Sequence, residues 1–192
     1  MSSGIVLLVV LALLVVLVVV VVGWAVAAYN RLVRLRTQVQ ASWAQVDVQL
    51  KRRHSLIPNL VETVKGYAAH ERSTLESVVA ARAAAAGTAG RGPREQAGAE
   101  SALTQALGRL FALAEAYPQL KANENFLALQ SELSGTEDKI AYARQFYNSA
   151  VQSLNAAVQT VPTNLIAGVG GFHAEPYFEA VGDERADVSV RF

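Results

Sequence analysis

The chain has 192 residues, a formal net charge of +1 and no cysteine. Near-neutrality removes the global electrostatic reason to expect a nucleic-acid partner. The lack of cysteine excludes disulfides, thiolate metal ligands and cysteine nucleophiles together, without fixing the compartment.

From Ile5 to Ala28 the chain is a run of Val, Leu, Ile and Ala, interrupted only by Gly23 and Trp24. About 20 apolar residues cross a hydrocarbon core of roughly 30 Å, so this run is long enough to span a bilayer with some tilt. Its valines favour strand in water, but in lipid the backbone finds partners only within its own segment, and helix wins. A cleaved signal needs a basic start and an apolar core of about 7 to 15 residues. Met1 to Gly4 carry no charged side chain, so a retained anchor over residues 1–28 is expected. Arg31, Arg34 and Arg36 follow the run. Cytoplasmic flanks are the ones enriched in Lys and Arg, which predicts the N-terminus outside and the C-terminal domain in the cytoplasm. Trp24 and Tyr29 then mark the cytoplasmic interface.

Apolar residues continue at spacings of three and four through Leu32, Leu35, Val39, Trp43, Val46, Leu50, Ile57, Val61, Val64 and Ala68. Such a seam predicts a packed helix, continuous with the anchor because no Gly or Pro stands between Ala28 and Leu32. Pro58 removes a backbone donor and clashes with the carbonyl of His54, so a kink or a break is expected there. The seam keeps its phase across the proline, which favours a kinked helix running on to Ala83–Ala86. Gly87, Gly90, Gly92 and Pro93 read as a loop. A second helix is expected over Pro93–Ala116, with Leu103, Leu107, Leu110, Ala114 and Tyr117 inward. Pro118 disfavours helical geometry at Tyr117 and marks a tight corner. A third helix, Leu120–Thr160, carries Phe126, Leu129, Leu133, Thr136 or Glu137, Ile140, Tyr147, Val151, Leu154 and Val158 on its seam. Pro162 ends it.

Long helices on short loops pack antiparallel. The fold class expected is all-α: a transmembrane helix followed by an antiparallel bundle of three to four long helices, four if Pro58 splits the first. The bundle is assigned residues 29–167. Residues 168–192 are expected to be a flexible acidic tail hinged at Gly168, Gly170 and Gly171. Its acids are Glu175, Glu179, Asp183, Glu184 and Asp187, and its apolar residues are Phe172, Tyr177, Phe178, Val188, Val190 and Phe192.

No pattern that carries catalysis is present. His70-Glu71 lacks a second histidine at helical spacing and so reads as a solvated face rather than a zinc site. No hydroxyl sits in an elbow motif with a base nearby. The glycines from Gly87 to Gly92 lack a following Lys-Ser/Thr and a preceding strand, and read as a linker rather than a phosphate loop. The densest basic run, Lys51-Arg52-Arg53-His54, spreads round a helix axis instead of forming one patch. It begins roughly 33 Å past the anchor, several Debye lengths of about 8 Å. It is expected to pair with acids on other helices, with partner binding as the second reading. Glu137 and Arg144 lie seven apart on or beside the third seam, and Asn148 and Asn155 repeat that spacing. A polar ladder of this kind usually fixes register across helices. The candidate interaction or structural positions are therefore Lys51, Arg52, Arg53, Glu137, Arg144 and Asn148.

Several stretches, in order along nearly the whole chain, resemble the LemA family. They are Tyr29-Asn30, Val48 to Arg53, Leu56-Ile57-Pro58-Asn59-Leu60-Val61 and Val64-Lys65-Gly66-Tyr67. They continue with Glu115-Ala116-Tyr117-Pro118, Leu120 to Asn123, Gly135 to Ile140, Ala143 to Asn148, and Gly171-Phe172 with Tyr177-Phe178. The resemblance implies a bacterial inner-membrane protein with one N-terminal span, a soluble helical bundle and no established catalytic activity. Residues and resemblance together give a membrane-tethered interaction or scaffold protein that contacts the bilayer through its first helix and an unidentified protein through its bundle. No cofactor and no nucleic acid are expected, and the oligomeric state stays open. The alternative is an accessory subunit or enzyme of a membrane complex using the polar seam near Glu137 and Arg144. An enzyme needs a concave pocket with convergent polar groups.

Overall fold

The computed structural model describes residues 2–179. Six helices occur among them and no strand. They are α1 (Ser2–Lys65), α2 (Arg72–Gly87), α3 (Pro93–Glu115), α4 (Pro118–Lys121), α5 (Glu124–Gln159) and α6 (Thr163–Gly170). Packing divides the chain into two units. One comprises Met1–Gln40 with Ala150–Glu175, the other Ala41–Ser149 with Pro176–Phe192.

In the larger unit the core joins Ile57, Leu60, Val61 and Val64 of α1 to Leu75 and Val78 of α2, to Leu103, Leu107 and Leu110 of α3, and to Phe126 and Leu133 of α5. Full burial of each such Leu or Ile stabilises the fold by about 1.5 to 3 kcal/mol relative to exposure. The short loop 88–92 returns α3 against α2 as an antiparallel neighbour. It does so through Gly90 and Gly92, whose φ angles of 81° and 105° lie where side chains are disfavoured.

Pro58 sits inside α1 and the helix runs through it. The residue that should have donated to the carbonyl of His54 is proline, and Arg82 of α2 fills the place: its Nε donates to that carbonyl at 2.7 Å. The first helix nevertheless stops earlier than the Ala83–Ala86 expected from periodicity. It ends at Lys65, and residues 66–71 turn the chain into α2. Gly66 follows the last helical residue, and glycine costs about 1 kcal/mol in a helix interior. The amide of Ala68 bonds the Val64 carbonyl at 2.9 Å as the turn begins. The division of the first long segment therefore falls at Gly66 and not at Pro58.

The expected third helix is also divided. Tyr117 is extended (φ −118°, ψ 91°) ahead of Pro118, which opens the single turn α4. Asn123 then caps α5, its Oδ1 accepting from the Phe126 amide at 2.9 Å while its Nδ2 donates to Tyr67 Oη at 2.9 Å. Along α5 the seam keeps its expected phase. Phe126, Leu133, Thr136 and Ile140 are buried, as are Tyr147, Val151 and Leu154, so Thr136 rather than Glu137 takes the inward position.

In the smaller unit Leu32 and Val39 of α1, Val151 and Leu154 of α5, Ala167 and Phe172 are buried. The glycines expected to form a hinge are structured: Thr163–Gly170 is helical. Gly171, at φ 67° and ψ 32°, closes α6 in the left-handed region, and the Phe172 amide reaches back to the Ala167 carbonyl at 2.9 Å. Glycine at this cap is chemically apt because no Cβ opposes the left-handed turn. Asp183, Glu184, Asp187, Val188, Val190 and Phe192 lie outside the described residues.

Candidate functional site

Leu50 and Ile57 are core residues on α1, and Arg53 falls on the stripe between them. Helical geometry thus turns Arg53 and His54 of the basic run inward and leaves Lys51 and Arg52 outside. Arg53 is only 2% exposed. Its Nη1 donates to Glu100 Oε2 at 3.3 Å and its Nη2 to Thr104 Oγ1 at 2.7 Å, both on α3. Its Nε lies 2.9 Å from Glu137 Oε1 on α5. That last contact is an ion pair by distance without an aligned N–H, since the Nε proton has no hydrogen-bond acceptor. The other oxygen of Glu100 lies 2.7 Å from His54 Nε2.

Glu100 is buried as well, at 5% exposure. The arrangement is therefore a charge cluster closed on itself, with one guanidinium answered by two carboxylates from two helices. Desolvating such charges costs several kcal/mol each, which only close pairing offsets. Burial pushes the Glu137 carboxyl above the usual carboxylate range; Arg53 pulls it down, while Glu100 and Asp138 push it further up. A cavity of about 280 Å³ opens beside the cluster, and Arg53, Glu100, Glu137, Arg144 and Glu179 are on its wall.

The other candidate positions fall elsewhere. Lys51 pairs with Asp47 one turn back at 2.7 Å, and Arg52 with Glu132 of α5 at 2.9 Å, both on the surface. Arg144 stands on the cavity wall with Glu137. Asn148 is half-buried on α5. It grips the segment after α6, donating from Nδ2 to the Phe178 carbonyl at 3.1 Å and accepting the Phe178 amide on Oδ1 at 2.9 Å. Asn155 makes the same two bonds with Glu175, at 2.9 and 2.8 Å. The ladder expected to link helices thus serves the tail backbone at these two rungs.

Phe178 is buried, with its ring 5.4 Å from that of Trp43, which also meets Tyr147 at 5.1 Å. Glu100, Thr104 and Arg82 escaped the sequence reading. A usable signal existed for Glu100: Gln96, Glu100, Leu103 and Leu107 form one stripe of α3, and all four are buried.

A second surface feature lies between α1 and α5. Val48, Tyr142 and Phe146 are exposed at 59%, 74% and 55%, and they line a groove of about 570 Å³ with Gln45 and Lys139 beside them.

A 64-residue helix whose N-terminal part is apolar enough to cross a membrane, joined to a domain whose described residues form helices and no strand, defines a membrane-associated all-α protein. Comparison with known proteins narrows the class. The chain belongs to the LemA family, whose model matches residues 42–192.

Relatives include Magnetosome protein MamQ 2 of Paramagnetospirillum magneticum, 29% identical over 175 residues that cover 79% of this chain and 64% of the relative. Magnetosome protein MamQ of Magnetospirillum gryphiswaldense is 28% identical over 174 residues, with 78% and 64% covered. Protein LemA of Metamycoplasma hominis is 27% identical over 163 residues, with 84% and 73% covered. The chain thus spans 64% of the length of the magnetosome proteins it matches.

Proposed function

We propose that the protein is a membrane-tethered interaction module, its N-terminus outside, its helical domain in the cytoplasm, and that domain receiving an amphipathic helix of a partner protein. The observation that carries this reading is the aromatic groove of Val48, Tyr142 and Phe146, flanked by Lys139. Aromatic residues are enriched where interfaces are most buried. A channel between two helices suits the apolar face of a third, and Lys139 favours an acidic rim on it.

The test places a photo-crosslinking residue at Tyr142 of the full chain in its native membrane. A discrete adduct is expected that Phe146→Ala abolishes and that a crosslinker at Ala89 does not form. An adduct pattern identical at both positions would defeat the reading, and a self-adduct would replace the partner by a second copy. Orientation is checked by C-terminal reporters, where activity only of the externally active one reverses it.

A second reading rests on the cavity beside Arg53, Glu137 and Arg144, which is concave and sets a few convergent polar groups among apolar ones, as ligand sites do. It makes the domain an accessory subunit holding a small polar ligand. A metabolite that leaves the purified chain on Arg144→Ala, with the melting curve unmoved, would favour it.

A further inference from the structure

We propose that α6 is a second membrane contact, its exposed face lying in the headgroup region of the bilayer that the apolar run crosses. Three observations in the smaller unit carry the inference, which rests on reading Ile5–Ala28 as a membrane span.

The first is the face itself. Leu165 and Val169 of α6 are exposed at 65% and 93%, and Val161, one turn earlier, at 73%. Leu165 and Val169, four apart, share one side of α6, and Val161 lies in the turn that precedes the helix. Exposed apolar residues scattered singly are ordinary, whereas an aligned set marks a surface to be covered.

The second is depth. The end of α6 is held against Tyr29, the residue immediately after the apolar run. The rings of Phe172 and Tyr29 meet edge-on with centroids 5.5 Å apart. Gly170 permits the approach, since a Cβ there would lie 3.2 Å from the Tyr29 ring and 2.7 Å from that of Phe172. The guanidinium of Arg36 lies over the other ring, 4.9 Å from the Phe172 centroid. Tyrosine favours the membrane–water boundary, so the contact fixes α6 at the level where the chain leaves the hydrocarbon.

The third is charge. Between Arg144 and Glu175 there is no Asp, Glu, Lys or Arg. A helix facing water ordinarily carries charges on its solvent side. The charges that follow the apolar run are Arg31, Arg34 and Arg36 of α1, of which Arg36 meets Phe172, and such cations suit anionic headgroups. An apolar face at this depth without acids to repel those headgroups fits a lipid surface.

The absence of native cysteine makes a direct test available. Single-cysteine versions of the full chain, Val16→Cys, Leu165→Cys, Val169→Cys and Ala89→Cys, are labelled with an environment-sensitive fluorophore. They are reconstituted in phosphatidylcholine–phosphatidylglycerol vesicles containing nitroxide-bearing phospholipid. Emission from positions 165 and 169 should be largely lost, more with a nitroxide near the headgroup than with one deep in the chains. Position 16 should show the opposite depth preference, and position 89 no quenching.

Quenching at 16 with positions 165 and 169 behaving like 89 would overturn the inference and leave the span standing. An unquenched position 16 would remove the span and the inference with it. Labels at 165 and 169 shielded from both lipid and aqueous quenchers would mean that protein covers the face, which also overturns it. All four substituted positions are exposed, and unchanged circular dichroism verifies that each variant folds.

Discussion

At Arg53 the chain places a guanidinium where the core pattern calls for a leucine. Removing one partner of a buried charge pair leaves the other uncompensated, at about 3 to 5 kcal/mol. Arg53→Ala should therefore lower the melting temperature by on the order of ten degrees, since about 1 kcal/mol moves a domain of this size by roughly 2 to 4 °C. Lys51→Ala and Arg52→Ala break surface pairs and should each cost under about 1 kcal/mol. Three similar melting curves would show that the cluster is solvated. Glu137 gives a pH-dependent counterpart. Its folded-state pKa is raised, chiefly by burial, so its contribution is fully present below the ordinary glutamate range and fades as pH rises through the raised value. The melting temperature of the wild type minus that of Glu137→Gln should fall between mild acid and neutrality. A difference that grows would mean that the attraction of Arg53 outweighs burial. The inward position of Arg53 was legible in the sequence, because it lies three residues after Leu50 and four before Ile57. Which acids answer it was not, because that depends on how α3 and α5 pack.

At the level of helices, the seams of α3 and α5 were legible because apolar spacing specifies a buried face directly. Punctuation was harder. Pro58 is the strongest breaker by local chemistry, yet α1 continues because Arg82 from another helix bonds the stranded carbonyl of His54. Gly66 is the weaker breaker, yet the helix ends there, and the Val64 carbonyl is taken by the turn amides of Tyr67 and Ala68. A double-mutant cycle tests this account. Arg82→Ala should cost about 1 to 3 kcal/mol by leaving that carbonyl unpaired. In a Pro58→Ala background the restored amide can bond it instead, and the cost should shrink. Equal costs in both backgrounds would assign Arg82 a different task. The glycines near residue 170 misled for a related reason. Composition reads them as a hinge, whereas Gly170 makes room for two rings and Gly171 supplies a left-handed cap.

For the molecule as a whole, hydropathy marks a helix long and apolar enough to cross a membrane, because a bilayer demands length and apolarity and little else. A partner groove carries no such signature: Val48, Tyr142 and Phe146 become a surface only after α1 and α5 are side by side. The fastening of the tail has a different kind of consequence, in the tolerance of the chain to mutation. Asn148 and Asn155 read the amide and carbonyl of Phe178 and Glu175, not the Glu175 side chain. Seven helical residues rise about 10.5 Å and three extended residues cover roughly the same length, so the two grips suit this spacing and no particular tail composition. In a saturation screen that scores folded protein, position 175 should accept nearly every residue type except proline, which lacks the amide proton. Position 178 should reject proline for the same reason and accept only large rings, because Phe178 is buried against Trp43. Positions 148 and 155 should refuse even aspartate, which can accept from the tail amide but cannot donate to the carbonyl. Loss of tolerance confined to charge reversals at 175 would show that the tail is held by its side chains after all.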